Sequence, residues 1–156
     1  MKDIHQEKKI VVKAMLLIEH EGKLLLNTGY DKVKNISFYR IIGGSINFGE
    51  KSEEALKREI KEELGCEIKN LRFLTVIENI FKYEGKDRHE ISFVYKGDLL
   101  DRKIYEQKEI HYIKNGEKFD AEWVPISDIL KGEIKLYPVF NYRKLFSRYF
   151  KKQVEE

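Results

Sequence analysis

The segment SEEALKREIKEELG, Ser52 to Gly65, is written as a helix with one face to bury. Ser52 is a residue type that caps helix N-termini, and Glu53 and Glu54 follow in the first turn, where the helix dipole favours negative charge. Leu56, Ile60 and Leu64 recur every four residues and form an apolar stripe. Gly65 stands where a helix ends in a left-handed residue. A helix is therefore predicted over Ser52–Leu64. So narrow a stripe needs a flat apolar partner, and the flanking segments are strand-like.

Lys9 to His20 is rich in β-branched and apolar residues, and Glu21-Gly22 marks a turn before Lys23-Leu24-Leu25-Leu26, which predicts an opening hairpin. Asn27 to Ser37 is polar and predicts a loop. Phe38 to Ile42 predicts a short strand ended by Gly43-Gly44. Asn70 to Tyr83 and His89 to Gly97 predict two longer strands around Glu84-Gly85-Lys86-Asp87, and Asn115-Gly116 predicts a hairpin turn in the charged stretch Asp101 to Phe119. Ala121 to Val124 predicts a short strand ended by Pro125, with Ser127 capping a short helix. Tyr137-Pro138 opens a last amphipathic helix, with Val139, Phe140, Tyr142, Leu145, Phe146 and Phe150 as its candidate core positions. Strands interleaved with two or three helices make the chain mixed α and β.

At 156 residues, with neither repeat nor low-complexity linker, residues 1–156 are expected to form a single domain. The longest apolar run, Ala14 to Ile18, is of strand length, so no membrane partner is expected. The opening MKDIHQEKK is charged and lacks the apolar stretch of a secretory signal, and one cysteine excludes an internal disulfide; together they favour the cytoplasm. Thirty cations nearly cancel 27 anions, which disfavours a dedicated nucleic-acid binder.

Each helical residue advances about 100°, which sets Glu62 about 60° to one side of Glu59 and Glu63 about 40° to the other. The three carboxylates share an edge bordering the apolar stripe. Two readings compete. One is a solvated face relieved by Lys57, Arg58 and Lys61. The other takes in the flank, where Gly43-Gly44 and Gly49-Glu50 precede the helix and glycine lets backbone approach a ligand. A loop carbonyl and three carboxylates converging on one point make an all-oxygen site, suited to Mg²⁺ or Mn²⁺ rather than Zn²⁺.

Gly44, five residues, Glu50, seven residues and then Arg58-Glu59-Ile60-Lys61-Glu62-Glu63-Leu64-Gly65-Cys66 resemble the Nudix box of the Nudix hydrolases, G-x5-E-x7-R-E-U-x-E-E-x-G-U, with U bulky and apolar. Cys66 at the last position departs mildly from the usual aliphatic, and Ile42 replaces a proline that often precedes the glycines. Although glutamate fills 20 of 156 positions, a shuffled chain would contain this pattern with odds of only ~10⁻⁶. The resemblance implies an α/β/α sandwich around a mixed β-sheet. It implies divalent metal, often Mg²⁺, on Glu59, Glu62 and Glu63, aided by the Gly44 carbonyl. It also implies an orienting role for Arg58 and a structural one for Glu50.

The implied reaction cleaves a nucleoside diphosphate linked to another group, by attack of water on phosphorus, with a small nucleotide as the partner molecule. The proton of that water falls to a carboxylate, either in the box or at Glu90, the leading candidate outside it, with Glu78 next. Tyr30, Phe38, Tyr39, Phe81 and Tyr83 are candidates to stack a base, and Arg40 to meet phosphate. Two other readings stay open: a silent Nudix-fold nucleotide sensor and an enzyme acting on capped RNA. Many relatives are homodimers, and nothing in this chain decides its oligomeric state.

Overall fold

A computed structural model describes residues 8–154; the charged opening segment before Lys8, and the last two glutamates, lie outside the described residues. The strands are β1 (Ile10–Leu17), β2 (Glu19–His20), β3 (Lys23–Asp31), β4 (Ile36–Ser45), β5 (Ile68–Tyr83), β6 (Lys86–Leu99), β7 (Glu109–Lys114), β8 (Glu117–Pro125) and β9 (Leu136–Tyr137). The helices are α1 (Ser52–Leu64), α2 (Arg102–Glu106), α3 (Ile126–Leu130), α4 (Tyr142–Tyr149) and α5 (Lys151–Val154). One mixed sheet runs in the order β5-β6-β1-β4-β3-β8-β7, with β2 on β3 and β9 on β4. β1 lies parallel to β6 and β9 parallel to β4, and the other pairs are antiparallel.

The two faces of β1 follow its alternation. Ala14 and Leu16 turn to α1, where they meet Leu56, Ile60 and the buried Cys66. Met15 and Leu17 turn to the other side and pack with Ile126, Phe146 and Leu145 of α3 and α4. Helices on both faces of a mixed sheet make the expected α/β/α sandwich.

Several local expectations change. β1 does not form a hairpin with β3, because β4 lies between them; only the two-residue β2 closes onto β3. The polar stretch read as a loop is mostly strand. β3 continues to Asp31 and β4 starts at Ile36, since each polar residue there has a ladder partner: Asn27 faces Arg40 and Thr28 faces Tyr39. Gly43 and Gly44 lie inside β4 rather than ending it. Ser52 is the first helical residue, not the cap; Lys51 precedes it without a side-chain bond, and the Ser52 hydroxyl lies 2.6 Å from that of Tyr95. Gly65 does end α1 with φ 69°. Ser127 does not cap α3, which Pro125 precedes. The last helix begins at Tyr142 behind an Asn141 cap that accepts the Lys144 amide, so Val139 and Phe140 are exposed instead of joining the core. No helix among the described residues is long and apolar enough to cross a membrane.

Gly43 of β4 lies directly against the backbone of β1. A β-carbon there would lie 2.1 Å from the Ala14 carbonyl oxygen, a backbone atom that cannot step aside. Gly43→Ala is therefore expected to destabilise the protein by about 2 kcal/mol or more, lowering the thermal midpoint by about 5 °C. A circular-dichroism melt checks this, and an unchanged midpoint would contradict it.

Candidate active site

The box residues meet where α1 crosses the C-terminal end of β4. Glu59 and Glu63, one helical turn apart, are both buried at this crossing. A β-carbon on Gly44 would lie 2.2 Å from the Glu59 carboxyl carbon, so the Glu59 carboxylate rests on bare backbone. The glycine is needed for this contact rather than for a turn.

Arg58 ties the approach loop to the helix. Its Nε and Nη2 donate to the two oxygens of Glu50 at 2.8 and 2.9 Å, and Nη2 also donates to the Ser45 carbonyl at 3.0 Å. Nη1 donates to Glu59 at 2.9 Å and to Glu62 at 3.4 Å. The planar fork is suited to such bidentate pairing. Glu50 takes the Asn47 amide as well, and Arg58 and that amide hold its carboxyl down at about 2. Arg58 thus joins Glu50, Glu59 and Glu62 through one guanidinium.

The three carboxylates are not equivalent. The Glu62 side chain is 48% exposed and points along the cleft wall, while those of Glu59 and Glu63 are 6% and 2% exposed. Lys114, the last residue of β7, reaches between the buried two, with its ammonium donating to Glu59 and, at 2.7 Å, to Glu63. Burial depresses the lysine's proton affinity, but the charge of Glu63 and the bonds to both carboxylates outweigh it, so its pKa is raised. Burial raises the Glu63 carboxyl to about 7 despite this lysine. Among the described residues no three acidic, histidine or cysteine side chains are grouped as metal ligands.

The buried pair nevertheless fits a hard cation. A positive charge already stands between Glu59 and Glu63, the carboxylates that could ligate a cation offer only oxygen, and Glu63 Oε2 is buried without a hydrogen-bond partner. Gly44 and Glu62 line the same cavity of about 530 Å³, a size that suits a ligand site. Lys114 had no signal in the sequence beyond its place before the Asn115-Gly116 turn.

A second pocket adjoins this cleft, and Lys13, Met15 and Arg40 line both. Phe38, Phe81, Tyr83 and Tyr137 form its aromatic wall, with Phe38 edge-on to Tyr137 at 5.2 Å and to Tyr83 at 5.9 Å. Three of the five aromatic candidates therefore come together. Tyr39 instead bonds through its hydroxyl to Glu122, and Tyr30 is exposed outside the pocket. Tyr137 was missed, because the short β9 that carries it reaches β4 only through tertiary pairing.

Glu90 lines this pocket, not the carboxylate cleft, and pairs with Lys13 at 3.0 Å. It is not brought together with the box. Its neighbour His89 points to the opposite face of β6, where it meets Glu78 at 3.0 Å. Neither residue of that pair lines either cavity.

The Nudix domain profile matches residues 8–144. The chain belongs to the Nudix family. It is a Nudix hydrolase, similar over 142 residues (26% identity, 89% of this chain and 85% of the relative) to the oxidized purine nucleoside triphosphate hydrolase of Danio rerio. Its fold resembles that of a Nudix hydrolase from Nitrosomonas europaea, at TM-score 0.60 and 16% identity over 93% of this chain and 91% of that one. It also resembles the MutT protein of Methanosarcina mazei Go1, at TM-score 0.59 and 20% identity over 92% and 94%.

Arg58→Lys keeps the charge of the Nudix arginine but loses its fork, so the loop over 46–51 should loosen without global unfolding. Amide hydrogen exchange in that loop is expected to accelerate about ten-fold while the thermal midpoint shifts little. Unchanged exchange would deny Arg58 its clamping role.

Proposed function

We propose that the chain is a divalent-metal-dependent pyrophosphohydrolase, using Mg²⁺ or Mn²⁺, that cleaves a nucleoside diphosphate linked to another group. The observation that carries this reading is the buried Glu59–Glu63 pair, seated on Gly44 with an orphaned oxygen beside a ligand-sized cleft. A bound divalent cation supplies neutralisation of the diphosphate and acidification of water. Glu59 and Glu63 would hold it, with the Gly44 carbonyl alongside. Arg58 keeps Glu59 oriented.

Glu62 is the base within the cleft. It is solvent-accessible, is held among the described residues by the long 3.4 Å contact to Arg58, and lines the same wall. It takes the proton as the water oxygen attacks phosphorus, and the bond to the bridging oxygen breaks to release a nucleoside monophosphate and a phosphorylated second product. Glu90, enclosed beside Lys13 in the neighbouring pocket, has no comparable access to the cleft. The aromatic wall of that pocket receives a ring of the substrate, and Arg40 and Lys13 stand between ring and phosphates.

Turnover of a nucleotide panel with Mg²⁺ and Mn²⁺, read as release of nucleoside monophosphate, tests the assignment. Glu62→Gln is expected to lower kcat about 10²- to 10⁴-fold with the fold intact, and Glu90→Gln by less than about ten-fold. The reverse order would move the base to Glu90. No turnover of any panel member would favour a nucleotide-binding module instead. Gly44→Ala should fold, since the three atoms nearest the new methyl are the end of the Glu59 side chain rather than backbone, yet weaken Mn²⁺ binding about ten-fold or more by electron paramagnetic resonance titration.

A further inference from the structure

Lys114 closes β7, and Asn115 (φ 52°) and Gly116 (φ 80°) turn the chain back into β8. This is the tight hairpin that an Asn-Gly pair favours, with positive φ at both positions. Its register sets Lys114 directly opposite Glu117. Residues so paired point to the same face of a sheet, within reach of each other's side chains. Both line the carboxylate cleft. The hairpin fixes the backbone of Lys114, while its flexible four-carbon stem leaves the ammonium free to swing.

In the free protein that ammonium rests on Glu59 and Glu63, not on Glu117. Glu117 is exposed, and its carboxylate forms no ion pair among the described residues. The two cations that meet the buried pair differ in how they are held. Arg58 is bound as well by both oxygens of Glu50 and by the Ser45 carbonyl. The Lys114 ammonium is held, among the described residues, by Glu59 Oε2 and Glu63 Oε1 alone. A divalent cation on this pair competes for the same oxygens, and like charges at such close range repel strongly in a partly buried site. Of the two, Lys114 gives way without opening the approach loop.

We infer that Lys114 is a resident counter-ion exchanged for the divalent cation. Its ammonium holds Glu59 and Glu63 together in the free protein and passes to Glu117, its neighbour across the hairpin, when the cation binds. The inference rests on the metal-dependent reading of the cleft. Such an exchange keeps two buried carboxylates from standing side by side without a cation, which is costly. It also lowers the apparent affinity for metal by the fraction of molecules in which the ammonium has left the pair. The hairpin of β7 and β8 thereby sets how readily the cleft is loaded.

Brief acetylation of the wild-type protein, read at Lys114 by peptide mass spectrometry, tests the exchange without any variant. An ammonium between buried carboxylates is shielded, and one beside exposed Glu117 is not. Labelling of Lys114 is expected to rise about five-fold or more on adding Mg²⁺, relative to the exposed Lys57. Titration of Mn²⁺ followed by electron paramagnetic resonance gives a second reading. Lys114→Met keeps the length of the side chain and removes its charge, and is expected to bind Mn²⁺ about ten-fold more tightly than wild type. Glu117→Gln is expected to bind it about three-fold more weakly, and to lose that effect in the Lys114→Met background, since its carboxylate acts through the lysine. Labelling that is unchanged or slower in Mg²⁺ overturns the exchange, and Mn²⁺ binding by the same protein leaves the metal-dependent reading standing. If neither wild type nor Lys114→Met binds Mn²⁺, both fall. Should Lys114→Met fail to fold, the labelling of wild type still decides.

Discussion

Everything at this site depends on how closely α1 approaches β4. The helix lies against the strand with a glutamate, not an aliphatic side chain, at the tightest contact, and bare backbone at Gly44 makes room for it. That contact buries Glu59 and Glu63 together on the border of the apolar stripe. Burying two carboxylates side by side is unfavourable unless cations meet them. Arg58 and Lys114 supply that charge in the free protein, from the helix itself and from β7. The helix is stable in this pose because its other buried residues, Ala55, Leu56 and Ile60, dock on Ala14, Leu16 and Ile42.

The same sheet that seats the carboxylates also builds the second pocket, from the outer half of β4 and the ends of β5, β6 and β9. Lys13 and Arg40 belong to both cavities, so charge bound in one is felt in the other. Lys13 illustrates the cost: burial lowers its pKa, and Glu90 beside it opposes the shift. The box carboxylates thus stand at one end of the groove and the aromatic wall at the other.

Much of the helix was legible in the chain. The Leu56-Ile60-Leu64 spacing, the Gly65 stop and the Arg58-Glu59-Glu62-Glu63 cluster are local patterns, governed by helical periodicity, and the structure follows them. Where local reading failed, strand pairing intervened. Asn27 to Asp31 looks like loop because its residues are polar, yet a ladder partner on β4 satisfies the backbone there. Val139 and Phe140 look like core but precede the helix that packs.

Sequence by itself determined the family, the α1 helix and which carboxylates it presents, because those depend on contacts within a few turns. Tertiary structure alone decided that Glu59 and Glu63 are buried while Glu62 stays exposed, that Lys114 reaches them from 51 or more residues away, and that Glu90 belongs to the pocket. The reason is physical. Burial and charge pairing across a sheet depend on which strands become neighbours, and no local periodicity tells that β1 lies between β4 and β6.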